Sequence, residues 1–206
     1  MRRVFADNDI LLDAAHWGFL DFIPDMLEAP WESITVLDSL RFRTKKSDPK
    51  LFSNPRVAEQ LAQRLQLTAP APGLDLAVLS RLEEMPGLDG GEIILISSLA
   101  FWLSKGEGLL LTGDKRALRA LAHPGISDIA AMLRGRVLCR EHLIRHVLVS
   151  RGPVALSTGV DQARGRDKAT DCIVPPVCSA SASSIHEGLT SYLGELAKAS
   201  TVLVHP

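Results

Sequence analysis

The chain is poor in cysteine, poor in aromatic residues and almost free of net charge, and each shortage excludes something. Of its 206 residues only Cys139, Cys172 and Cys178 are cysteines, an odd number without CxxC spacing, which argues against a disulfide framework and places the chain in a reducing compartment. Aromatic residues make up 5% of the chain, and Trp17, Trp31 and Trp102 lie in apolar contexts that assign them to the core. The net charge of -1 supplies no global field to steer a polyanion, so a nucleic acid would have to be met by a local patch. The most apolar stretch, "IILISSLAFWLS" from Ile93, falls short of the roughly 20 residues a membrane span requires and is expected to be a buried helix. No signal-peptide apolar region follows Met1, Arg2 and Arg3, so the expected location is cytoplasmic, with no membrane partner. What is present is a 46% hydrophobic chain, enough for one substantial core.

Strands alternate with helices along most of the length. Arg3 to Ala6 is a short apolar run, and Leu11, Leu12, Ala15, Phe19 and Phe22 then recur at helical spacing. "SITVLDSLRF" repeats the unit with a strand over Ile34 to Leu37 and capping residues at Asp38 and Ser39. "PRVAEQLAQRLQL", "DLAVLSRLEEM" and the segment from Glu92 to Leu103 form a helical middle. "GLLLTGDKRALRAL" and "GRVLCREHLIRHVLV" are two more strand-helix units, with strands at Leu109 to Leu111 and Val137 to Cys139. Such alternation predicts an α/β fold with a central parallel sheet of four or five strands flanked by helices. Residues 1–150 hold this unit. Residues 151–206, richer in small and polar residues, are expected to be a partly irregular extension on the same domain, closed by a helix from about Ile185 to Lys198.

Carboxylates recur where strands end. Asp7 and Asp9 follow the first strand, Asp38 the second and Asp114 the strand at Leu109, while Glu92 opens the long apolar helix. In a parallel sheet these ends share one rim, where ligands bind. Acids packed there repel one another unless a cation sits among them, and hard oxygen ligands suit Mg²⁺ or Mn²⁺. Taken singly, each acid could instead cap a helix or favour its dipole.

In three places the sequence resembles the PIN domain, a fold of metal-dependent ribonucleases that includes the toxin half of many toxin-antitoxin pairs. "VFADNDILL" resembles the opening strand and Asp, "GGEIILISSLA" the acid that begins a buried helix, and "LLLTGDKRAL" the strand followed by Thr, any residue and Asp. The resemblance covers about Arg3 to Ser150. It implies Asp7, Glu92 and Asp114 as catalytic ligands of one or two Mg or Mn ions, with Asp9 a further ligand. Asn8 and Thr112 would support them. It also implies RNA as substrate, and admits a protein partner or inhibitor. Where the family carries another acid this chain has Arg41, with Asp38 the nearest carboxylate, so either Asp38 or Asp9 substitutes or the site is incomplete. An incomplete site would make the chain a silent module that binds RNA or protein.

Other features compete for attention. "RFRTKK" groups Arg41, Arg43, Lys45 and Lys46 around Phe42, and Lys115 and Arg116 follow Asp114; both groups could contact nucleic acid or be ordinary solvated charges. Arg164, Arg166 and Lys168 form a weaker basic spot, and Asp167 and Asp171 could approach the metal if the extension folds over the rim. "CREHLIRH" offers Cys139, His142 and His146 to zinc, but no fourth ligand is adjacent. "DND" also suits a haloacid-dehalogenase-like phosphatase, although Leu11 and Leu12 stand where such a site needs a small residue. The apolar face from Leu189 to Leu196 could pair subunits in a homo-oligomer.

Overall fold

The computed structural model describes residues 2–52, 54–200 and 202–203. Strand β1 (Arg3–Ala6) leads into α1 (Asn8–Trp17), which ends at Gly18 in the left-handed conformation, φ 73°. There follow α2 (Phe22–Leu27), β2 (Ile34–Val36), α3 (Asp38–Lys45), α4 (Pro55–Leu67), α5 (Leu76–Glu83) and α6 (Gly90–Leu103). The second half adds β3 (Gly108–Thr112), α7 (Lys115–Ala120), α8 (Ser127–Leu133), β4 (Val137–Cys139), α9 (Arg140–Asp161), α10 (Lys168–Ile173) and α11 (Ala182–Ala199).

The sheet is four-stranded, wholly parallel and ordered β2-β1-β3-β4. Its period-2 alternation divides the core. Val4, Ala6, Ile34, Val36, Leu111 and Leu138 face one layer, built from α1, α2, α4 and α9. Phe5, Leu110, Val137 and Cys139 face the other, built from α6, α8 and α11. The helix after β1 thus lies on one face and the helix after β3 on the other, with Leu118 of α7 in the second cluster. A crevice therefore opens between the C-terminal ends of β1 and β3. Both sheet edges are covered by short pairings, Ala69 N–H donating to Ile34 O beside β2 and Val137 N–H donating to Val202 O beside β4.

The extension is more ordered than composition implied. Gly152, at φ 79° and ψ 173°, bends α9, and Pro153 restarts the helix at a position that needs no N–H donor. α10 and α11 then pack back on the domain. Ile185 and Leu189 join one core cluster while Leu193 and Leu196 join the other. The face expected to pair subunits is therefore consumed within the chain. Trp17 and Trp31 are buried, but Trp102 is only half-buried, with the Arg3 guanidinium 4.8 Å from its ring centroid. Among the described residues no helix is long and apolar enough to cross a membrane.

Candidate functional site

The crevice holds a cavity of about 290 Å³, lined by Asp7, Asp9, Asp89, Glu92, Asp114 and Arg116 among others. Each acid is placed by a local device. Asp7 N–H donates to Leu111 O at 2.8 Å, extending the β1-β3 ladder by one bond and fixing the Asp7 side chain at the start of α1. Asp114 follows β3 across Gly113; its N–H donates to Thr112 Oγ1 at 3.1 Å, so Thr112 braces the turn while itself buried. Glu92 is set by a reciprocal cap, its N–H donating to Asp89 Oδ1 and its Oε2 accepting from Asp89 N–H, both at 2.9 Å. Gly91 allows this helix end to approach Leu37, whose Cδ1 would lie 2.9 Å from an added Cβ.

The cap leaves Glu92 Oε1 buried without a hydrogen-bond partner, in a residue only 5% exposed. Burial, with Asp114, Asp89 and Asp7 nearby, pushes the Glu92 carboxyl up to about 8 despite the bond from Asp89. Burial and then the Asp9 charge push Asp7 up to about 6. Asp114 differs. Burial opposes its ionisation, yet the Arg116 guanidinium and backbone N–H hold its carboxyl below the usual range. Arg116 Nη2 donates to Asp114 Oδ2 at 2.6 Å, and Arg116 N–H donates to Oδ1 at 2.6 Å.

The remaining sequence candidates separate into near and far. Asn8 and Asp9 line the cavity, and Asn8 Nδ2 donates to Ser39 Oγ at 3.2 Å while its Oδ1 is buried without a partner. Asp38 does not join them. It sits in the first turn of α3 with its side chain fully exposed, 3.7 Å from Arg41 Nε. Arg41 is no surface anchor either, because it donates to Leu65 O at 2.7 Å and to Thr68 Oγ1 at 2.6 Å, closing the C-terminal end of α4. Arg43 lines the cavity and pairs with Asp48 at 3.1 Å. Lys45 and Lys46 are exposed, and Lys46 Nζ lies 4.3 Å above the ring of Phe42, which is 58% exposed.

Lys115 was a candidate for nucleic-acid contact, but its ammonium is turned inward to Glu141 at 3.2 Å and Asp167 at 3.6 Å. It belongs to a second cluster on the same rim. Arg140 meets Asp13 at 2.6 Å and Asp167 at 2.9 Å, and Arg166 meets Asp13 at 3.1 Å. Arg140, first residue after β4, presses on Gly113, where an added Cβ would lie 2.6 Å from its Nη2. Asp167 therefore folds onto the rim yet is bound to cations, and Asp171 pairs with Arg164 at 3.7 Å; neither lines the acidic cavity. Lys168 is exposed.

The proposed zinc set is not assembled. Cys139 Sγ lies 3.1 Å from His142 Nδ1 in the core, while His146 packs edge-on against Phe22. Among the described residues, no three ligating side chains close on one point as they stand. In the acidic cavity one Glu92 oxygen is engaged by the cap and both Asp114 oxygens by Arg116. The donors are nonetheless of the type a hard divalent ion takes, and the partnerless Glu92 Oε1 fits an ion among them.

Asp89 was missed in the sequence. Its signal was "DGGE", an N-cap acid three residues before a Glu, hidden by the two glycines that marked the segment as a break. Glu141, wholly buried in the first turn of α9, carries no sequence signal that separates it from an ordinary helix-start charge. No protein-family model, no curated protein and no solved structure matches this chain.

Proposed function

We propose that the chain is a metal-dependent phosphodiesterase acting on RNA, with a PIN-like arrangement of acids. The observation that carries this reading is the convergence of Asp7, Asp89, Glu92 and Asp114 on one cavity at the switch point of a parallel sheet, with a Glu92 oxygen buried and unpartnered. Asp7, Glu92 and Asp114 would hold one or two Mg²⁺ or Mn²⁺ ions, with Asp9 and Asp89 adding negative field. Such an ion supplies an activated water and neutralises charge on the phosphodiester. The protein's own part is positional. The Asp89 cap keeps Glu92 aimed, Thr112 holds the Asp114 turn, and Asn8 ties the start of α1 to Ser39.

RNA is favoured over smaller phosphate esters by the surface beside the cavity. Phe42, Arg43, Lys45 and Lys46 share α3 or its end, and Arg43 also lines the cavity, so a strand lying on α3 would find an exposed ring and cations leading to the acids. The test is cleavage of an end-labelled oligoribonucleotide in Mn²⁺ by wild type, Asp7→Asn and Glu92→Gln. Cleavage by wild type, lost in both variants and in chelator, is the expected outcome; equal activity in all three would refute the assignment.

A second reading is a silent module of the same fold that binds RNA or a protein partner. The guanidinium of Arg116 on Asp114, which satisfies that carboxylate without any metal, favours it. In that case RNA binding persists in chelator and no cleavage occurs.

A further inference from the structure

Arg116 is attached to the cavity differently from the other arginines of this rim. Arg140 is buried between Asp13 and Asp167, and Arg41 is tied to backbone carbonyls. Among the described residues the Arg116 side chain pairs with Asp114 alone, through Nη2 at 2.6 Å from Oδ2 and Nε at 3.2 and 3.3 Å from the two oxygens, and it is 76% exposed. Inside the same cavity, Glu92 Oε1 is buried with no partner. Five carboxylates line the cavity; of the two arginines beside them Arg43 pairs with Asp48 outside it, and the Arg116 fork engages only one of the five.

We propose that Arg116 is a displaceable counter-ion of the cavity: without a divalent ion it occupies Asp114, and an entering ion releases it to the mouth, where it meets a phosphate of the substrate. This rests on the reading of the cavity as a cation site. A divalent ion brings twice the charge of a guanidinium and accepts oxygens from several carboxylates at once, including Glu92, which Arg116 leaves unserved. The pair is open to solvent on its guanidinium side, although the Asp114 side chain is only 15% exposed, and a solvated guanidinium is readily exchanged. Once released, the side chain starts from the second residue of α7, immediately beside Asp114, and a planar fork suits phosphate oxygens. No refolding is required, because the backbone N–H of Arg116 stays on Asp114 Oδ1 while the guanidinium moves.

The proposal predicts opposite signs in two measurements on the full chain. In Mn²⁺ titrations followed by the EPR signal of the free ion, Arg116→Ala should bind about three- to fivefold tighter than wild type, the change that corresponds to removing one ion pair with a solvated guanidinium. With a short oligoribonucleotide the same variant should show a raised KM. Arg116→Gln, which keeps a long polar side chain without the charge, should behave like Arg116→Ala and so separates loss of charge from any disturbance of the helix start. Arg116→Lys should bind Mn²⁺ close to wild type. If Mn²⁺ binds wild type and both neutral variants equally, or binds the neutral variants more weakly, the counter-ion role is overturned while the cation site stands. If Mn²⁺ binds none of the proteins, the cation site itself is refuted and this proposal with it. Binding by the neutral variants alone would be its strongest support.

Discussion

Two charge clusters lie side by side on one rim of the sheet, and they differ in how their charges are matched. In the closed cluster, Asp13, Glu141 and Asp167 face Lys115, Arg140 and Arg166, and every carboxylate has a cation within 4 Å. Asp167 is held below the usual carboxylate range by Arg140, Thr170 and Lys115 against the effect of burial, whereas at Asp13 burial outweighs Arg140 and Arg166 and the carboxyl is raised. In the open cluster Asp7 and Glu92 are pushed up to about 6 and about 8, chiefly by burial and then by neighbouring acids. Acidic residues at strand ends are thus not sites in themselves. The matched set fastens the extension to the domain, whereas Asp7 and Glu92 pair with no cation among the described residues, which supports reading the unmatched set as the proposed cation site.

The largest effect should come from unmatching the closed cluster. Arg140→Ala would leave Asp13 and Asp167 buried without their main cation, at a cost of about 3–5 kcal/mol in urea unfolding. A loss below 1 kcal/mol would show that the network does not fasten the extension. Next, Gly113→Ala forces a methyl against the Arg140 guanidinium at the boundary between the clusters, and should destabilise by about 1–3 kcal/mol. Normal stability would mean Arg140 is free to move aside.

The open cluster should respond in the reverse direction. Glu92 is raised from 4.5 to about 8, so between these values the folded protein keeps a proton that the unfolded chain has lost. The contribution of Glu92 to stability should therefore be full below about pH 4.5 and be lost as pH rises through about 8, and that of Asp7 should be lost between 3.8 and about 6. Glu92→Gln, which cannot ionise, should flatten this slope and melt a few degrees above wild type at pH 8 without metal. An unchanged slope would place the Glu92 carboxylate in contact with a compensating cation. The smallest effect belongs to Asp38→Asn. Exposed and paired only with Arg41, it should change stability by less than about 0.5 kcal/mol and leave Mn²⁺ binding untouched.

Much of the fold was legible because hydrophobic period and strand-end acids repeat along the chain. β4 falls where Val137 to Cys139 predicted it, and α4 spans the amphipathic segment "PRVAEQLAQRLQL". The extension was harder to read. Its helices draw few strongly apolar residues from sequence and gain stability instead from packing on α9 and from the Asp167 ion pairs, which join residues far apart along the chain. In the site, Asp7, Glu92 and Asp114 could be assigned to one rim because each adjoins a strand end or a helix start. Asp38 satisfied the same rule, yet its place in the first turn of α3 turns it to solvent. Lys115 and Arg116 are adjacent in sequence and opposite in fate. One points to buried Glu141 and the other to Asp114, a difference of side-chain direction that composition does not encode.

The central claim is that the open cluster binds a divalent cation, and the most direct measurement is thermal unfolding of wild type and Asp7→Asn with and without millimolar Mn²⁺. A ligand that binds only the folded state raises its stability by mass action, by about 2.7 kcal/mol at a hundredfold excess over Kd. The account predicts a rise of several degrees in wild type that disappears in Asp7→Asn. Equal curves for both proteins, with and without Mn²⁺, would contradict it.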